Sequence, residues 1–157
     1  MSEREPSDLR QPFTEVQADF INTLREQCQS LILVCGEGTL SYAPFIFVAG
    51  SYIIFVSELA AHTRGLLDHG GGQIMLIKDE STTGNIYARR RLIQRVRAQE
   101  VECDSEQGAM LLDALQARHG KTLTLLRSLP DFHLIRLTPT DGQLVTGFGK
   151  AFSVPIG

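Results

Sequence analysis

No apolar run in this 157-residue chain approaches the roughly eighteen residues that a helical membrane span needs, so no membrane association is expected. Met1 to Gln11 are polar and charged and lack the apolar core of a signal peptide, which points to a soluble, cytoplasmic protein. Cysteine is sparse. Cys28, Cys35 and Cys103 are odd in number and have no paired metal-ligand spacing, so they read as reduced thiols and exclude a disulfide framework. The histidines, His62, His69, His119 and His133, show no i, i+4 pairing and no cysteine partner at zinc spacing, which leaves a hydrolytic or structural metal site unsupported. Nucleophile elbow, Walker loop and catalytic-triad signatures are all missing, so the standard hydrolase classes fall away. Gly36-Glu37-Gly38 lacks a third glycine and leads into a strand, so no helix N-terminus is offered to a pyrophosphate. Excess charge is missing too: a net charge of -3 with 21% charged residues gives no nucleic-acid or membrane surface.

What is present fits one domain, long enough to bury about 68–70% of the surface that the unfolded chain exposes. Residues 1 to 11 read as a disordered arm, residues 12 to 152 as the domain and residues 153 to 157 as a C-terminal tail. Thr14 and Gln17 have capping-box spacing at the start of a helix whose apolar stripe is Phe13, Val16, Phe20 and Leu24. Ser30 to Cys35, the turn at Gly36-Glu37-Gly38 and Thr39 to Val48 form a hairpin, with Pro44 marking an edge, a bulge or a break. A third strand, Tyr52 to Val56, runs into Ser57, and a short helix follows. A hydroxyl, backbone N–H groups and the cationic Arg64 converge there as an anion pocket would require. Gln73 to Lys78 is a further strand, followed by the acidic loop Asp79 to Gly84. A helix from Glu106 to Arg118 is capped by Asp104 or Ser105, has Met110, Leu111 and Leu115 on its apolar side, and ends at Gly120. Asp141-Gly142 signals a hairpin between Phe132–Leu137 and Gln143–Phe148.

The densest feature is basic. Arg89, Arg90, Arg91, Arg95 and Arg97 are five of the fifteen Lys and Arg residues. Read as a strand, alternation puts Tyr87, Arg89, Arg91, Ile93, Arg95 and Arg97 on one face and turns Arg90 to the other; read as a helix, Ala88, Leu92 and Val96 line up at four-residue spacing, and periodicity alone does not settle between the two. The functional reading is an array of guanidinium forks for phosphate or carboxylate. The plain reading is a solvated basic face paired with nearby carboxylates.

Four stretches, in order along the chain, carry a family resemblance: Ser41-Tyr42-Ala43-Pro44-Phe45, Ser57-Glu58-Leu59-Ala60-Ala61-His62-Thr63, Asn85-Ile86-Tyr87-Ala88-Arg89-Arg90-Arg91-Leu92 and Gly147-Phe148-Gly149-Lys150-Ala151-Phe152. Together they resemble the split-barrel superfamily of pyridoxamine phosphate oxidase, and within it the bacterial haem-utilisation branch. The resemblance implies a mainly β, α+β fold: a six-stranded antiparallel split barrel with flanking helices, paired as a homodimer whose interface holds two symmetric sites.

It also implies a cofactor, haem in this branch or FMN in the wider superfamily. Ser57, His62, Thr63 and Arg64 fall where flavin-binding relatives grip the cofactor phosphate, and His62 stands in the place of the usual lysine. A neutral imidazole is the poorer phosphate ligand at pH 7. Arg89 to Arg91 fall at the cofactor or dimer groove, with Arg91 and Leu92 opening the barrel-crossing strand; Ser41 and Tyr42, beside the Pro44 break, are placed to face a site, whereas alternation alone makes Tyr42 an ordinary half-buried strand residue. Asp131 falls where the branch has an aspartate near the haem of the neighbouring subunit; its plain reading is a turn residue after Pro130. Asp131 and His62 are therefore the catalytic candidates. The family's axial histidine belongs to a tail beyond the Gly-Phe-Gly-x-Ala motif, and no histidine follows His133 here. Either the tail is missing, or another residue ligates the iron, or haem is not bound in the family manner. Three functions follow: a haem-binding protein, extending to an oxygenase that opens the ring and releases iron; an FMN-dependent oxidoreductase; and a carrier of haem or flavin without turnover.

Overall fold

The computed structural model describes residues 12–156, so the arm expected over residues 1 to 11 lies outside the described residues, as does Gly157. The chain runs α1 (Glu15–Gln27), β1 (Ser30–Cys35), β2 (Thr39–Pro44), β3 (Ile46–Val48), β4 (Ser51–Ser57), α2 (Ala61–His69) and β5 (Gly71–Ile77). After two single 3-10 turns come β6 (Arg91–Val101), α3 (Glu106–His119), α4 (Thr122–Arg127), β7 (Phe132–Gly147) and β8 (Lys150–Val154). One eight-stranded antiparallel sheet orders them β2-β1-β5-β6-β7-β4-β3, with β8 pairing β7.

Pro44 determines how that sheet closes. Lacking an N–H, it ends β2, and after Phe45 the chain resumes as β3 at the other end of the strand order. The first and last strands are thus two halves of one bent segment, and the sheet must curl into a barrel. Phe45, fully buried, fixes the bend: its N–H donates to the Gln29 carbonyl at 3.2 Å and its own carbonyl accepts from Arg118 at 3.0 Å. The expected split barrel is what forms. Its strands number eight rather than six because Pro44 divides the second strand and because the chain pairs again as β8, up to Val154.

Alternation sorts side chains onto two cores. Tyr52, Ile54 and Val56 of β4 and Ile135 and Leu137 of β7 fill the barrel, whereas Ile53 and Leu134 face outward and pack under α3 and α4 with Leu111, Leu112, Leu115 and Leu123. Burial on both faces explains the unbroken run Tyr-Ile-Ile-Phe-Val in β4. α1 closes one end of the barrel with Ile21 and Leu24. Its buried stripe is Gln17, Ile21 and Leu24, whereas the expected Val16 is exposed. The Thr14 N–H donates to Gln17 Oε1 at 2.8 Å, and this contact helps to fix the helix's rotation. On α3, Leu112 is buried and Met110 is exposed, the reverse of one expected position.

The expected hairpin at Asp141-Gly142 does not form. β7 runs through it for 16 residues, pairing β4 along its first half and β8 along its second. Gly142 is needed for a close approach instead: a Cβ there would lie 2.2 Å from the Ile93 carbonyl, beside the register shift between Gln94 and Val96.

Candidate functional site

The sequence-nominated residues form two separate groups. The first gathers where β4 ends and α2 begins. Ser57 Oγ donates to Asp131 Oδ2 at 2.6 Å and accepts the Leu59 N–H at 3.1 Å, while the Glu58 N–H donates to the Asp131 carbonyl at 2.8 Å. The buried Thr63 hydroxyl donates to the Ser57 carbonyl at 2.6 Å. Asp131 is therefore more than a turn residue after Pro130: both its side chain and its backbone are tied to the β4–α2 turn. Arg64, expected to face an anion, is exposed and pairs with Glu58 at 3.8 Å and Asp68 at 3.3 Å.

His62, on the first turn of α2, is 7% exposed and its buried Nε2 has no hydrogen-bond partner among the described residues. Burial pushes its pKa below the usual histidine value, which favours the neutral ring. The three thiols are pushed up by burial and stay protonated at neutral pH; that of Cys35 donates to the His62 carbonyl at 3.3 Å.

The second group lies at the other end of β6. Residues 86–88 form a 3-10 turn rather than the start of the strand, and pairing begins at Arg91, opposite Ile77. Arg89 donates to the Lys78 carbonyl and meets Glu80 of the acidic loop at 3.4 Å, as the plain reading anticipated. Arg91 donates to the Arg89 carbonyl at 2.8 Å. Arg90 turns the other way, as alternation required, and lies 4.7 Å from the Phe20 ring centre.

Next to this group the outer sheet face is apolar. Cross-strand pairing aligns Tyr42, Ile32, Met75 and Ile93 in one row and Leu40, Val34, Gln73 and Arg95 in the next. Tyr42 is 66% and Leu40 70% exposed. α3 and α4 cover the sheet elsewhere, so among the described residues this face is left open.

The 11 residues of β6 separate the two groups. Val101 pairs near the Ser57–Asp131 end and Arg91 stands at the far end, about 33 Å apart at ~3.3 Å per residue.

A third cluster escaped sequence reasoning. His133 on β7 places Nε2 2.7 Å from Glu58 Oε1, and its Nδ1 hydrogen-bonds Glu100 Oε2 on β6. These carboxylates raise its pKa, the hydrogen bond to Glu100 most strongly. Residues 58, 100 and 133 share no local motif; only the pairing of β4, β7 and β6 brings them together. Among the described residues no group of three or more His, Cys, Asp or Glu side chains is arranged to hold a metal ion, and no helix is long and apolar enough to cross a membrane.

No family model matches the chain. It is 37% identical over 119 residues to the haem oxygenase HutZ of Vibrio cholerae serotype O1, covering 76% of this chain and 68% of that protein. The crystal structure of HutZ, there described as a haem storage protein, superposes with a TM-score of 0.72 at 33% identity, covering 76% of this chain and 87% of that one. Campylobacter jejuni ChuZ gives a TM-score of 0.81 at 27% identity; 94% of this chain is covered, but only 62% of ChuZ. A pyridoxamine 5'-phosphate oxidase-type structure from Listeria innocua, at 13% identity and a TM-score of 0.63 over 83% of this chain and 99% of that one, shares the fold.

Proposed function

Because the chain belongs to the family of the haem oxygenase HutZ, the haem-utilisation branch of the split-barrel proteins, we propose that it binds haem in a groove completed by a second copy of itself. The observation that carries this reading is the open apolar row Tyr42–Ile32–Met75–Ile93, edged by Arg91 and Arg95. A flat apolar macrocycle with two carboxylates matches that chemistry: the row takes the ring, and the guanidinium groups of Arg89 and Arg91 take the propionates.

The distance between the two residue groups supports the homodimer. Ser57, Thr63, Arg64 and Asp131 stand at one end of β6 and Tyr42, Arg89 and Arg91 toward the other, so a site using both draws one set from each subunit. The residues fit the cofactor on a further count: His62 keeps a neutral imidazole with a free buried nitrogen on the helix beside Ser57. Bound haem would supply the iron and conjugated ring on which oxygen and a reductant act. The chain's own part is to hold the propionates, exclude water and orient Asp131 through Ser57. We place this chemistry in the cytoplasm, where reductant is available, with no role for nucleic acid. His62 in place of a lysine weighs against an FMN phosphate.

A haemin titration of the purified protein, followed by absorbance, is expected to give a saturable Soret shift at one haem per subunit. Replacing Arg91 with Gln removes a charge-assisted contact worth about 1.5–3 kcal/mol and should weaken haemin roughly 10- to 100-fold. Protein isolated yellow with flavin bands, or haemin uptake that never saturates, would replace this reading with the FMN one. Oxygen and a reductant then separate turnover from carriage: loss of the Soret band with iron release marks an oxygenase, and an unchanged spectrum marks a carrier.

A further inference from the structure

The His133 cluster has a proton count that fixes its state. Both ring nitrogens face carboxylate oxygens, Nε2 toward Glu58 and Nδ1 toward Glu100. A neutral imidazole carries one N–H, so it can donate to one of these acceptors and must turn a lone pair on the other. Only the imidazolium satisfies both. The cluster is a ladder across three neighbouring strands: Glu58 just past β4, His133 on β7 and Glu100 on β6. Val56 pairs with His133 and Glu100 with Ile135, so all three side chains lie around the same rim of the barrel.

Glu58 is the member that links this ladder to the candidate site. It follows Ser57 directly, and its N–H holds the Asp131 carbonyl at 2.8 Å while Ser57 Oγ holds the Asp131 carboxylate at 2.6 Å. The charged groups around His133 are Glu58 from the β4–α2 turn, Glu100 from β6, Arg64 of α2 on the far side of Glu58 at 3.8 Å, and Asp131 two residues upstream on its own segment. Glu58 therefore has a second cation to turn to when His133 becomes neutral.

We propose that His133 is a proton-loaded positioning residue: as imidazolium it ties the β4–α2 turn to the end of β6, and loss of that proton frees Glu58 toward Arg64 and loosens the Ser57–Asp131 pair. This rests on the reading of Ser57 and Asp131 as site residues. The sign follows from the raised pKa: the tie is complete on the acid side and is lost as pH climbs through a midpoint above the ordinary histidine value of 6.5. His133 does not touch the cofactor in this scheme; it acts through the turn.

The test is an NMR titration of the intact protein, following the imidazole nitrogens of His133 and the backbone amide of Glu58, with haemin affinity measured over the same pH range. The expected result is a His133 midpoint above 6.5, both nitrogens protonated below it, and a Glu58 amide that shifts with the same midpoint. Haemin affinity should fall several-fold through that midpoint in the native protein and stay flat across it in His133→Gln. Glu100→Gln keeps the imidazole and should move the midpoint toward acid, which covers the case in which the histidine variant does not fold. A neutral His133 at pH 6.5, or a Glu58 amide indifferent to its titration, overturns the proposal. Failure of haemin to bind at every pH overturns the cofactor reading instead, because the NMR result does not depend on haemin.

Discussion

His62 costs the fold something its neighbours do not. A buried ring nitrogen without a partner loses its hydration and gains nothing in return, typically about 1–3 kcal/mol. Its depressed pKa adds an acid sensitivity: stability is full above the unfolded value of about 6.5 and falls as pH drops below it, because the unfolded chain takes up the proton first. His62→Leu is expected to raise the urea midpoint at pH 7, and the gap to the native protein should widen at pH 5.5. If haemin affinity falls in the same variant, the retained cost belongs to the site. His133 has the opposite sign, its contribution disappearing on the alkaline side, so the two histidines bound the pH range of greatest stability from either side.

Among the elements, α3 holds more of the fold than its apolar face suggests. Arg118 in its last turn donates to the carbonyls of Arg25 at 3.1 Å, Glu26 at 3.2 Å and Cys28 at 2.6 Å, capping the C-terminus of α1, and to that of Phe45 at the β2–β3 bend. Arg118→Met keeps much of the stem but leaves those carbonyls without their cationic donor, and should cost about 2–3 kcal/mol of unfolding free energy in urea. β7 depends on a position with no side chain. Gly142→Ala would drive a methyl to 2.2 Å from the Ile93 carbonyl, so the β6–β7 bulge must shift; a loss of roughly 1–3 kcal/mol with an unchanged urea m-value is expected. Asp-Gly was read as a hairpin because the same dipeptide serves tight turns. It instead lies inside a strand because residues 142–145 have β6 on one side and β8 on the other.

For the whole molecule, the open face of β1, β2, β5 and β6 is where the proposed second copy packs. Met75→Glu places a charge in the middle of that face and outside the barrel core; if the proposed pairing holds, the native protein sediments as a dimer and the variant as a folded monomer, and haemin binding falls with it. A native protein that sediments as a monomer at every concentration would remove the two-subunit site. Much of this architecture was legible in the chain. Helix caps, the Pro44 break, the run Tyr-Ile-Ile-Phe-Val and the outward turn of Arg89 and Arg91 away from Arg90 follow from local geometry, which depends on residues a few positions apart. The sequence by itself thus determined where most elements lie, and its four family-like stretches pointed by resemblance to the split barrel that the structure has. Only the tertiary structure decided that His62 is buried, that Ser57 holds Asp131, that Arg91 stands at the opposite end of β6 from them, and that Glu58, His133 and Glu100 meet. Those facts depend on the pairing of β4, β6 and β7, whose register is set by barrel closure and core packing over the whole chain.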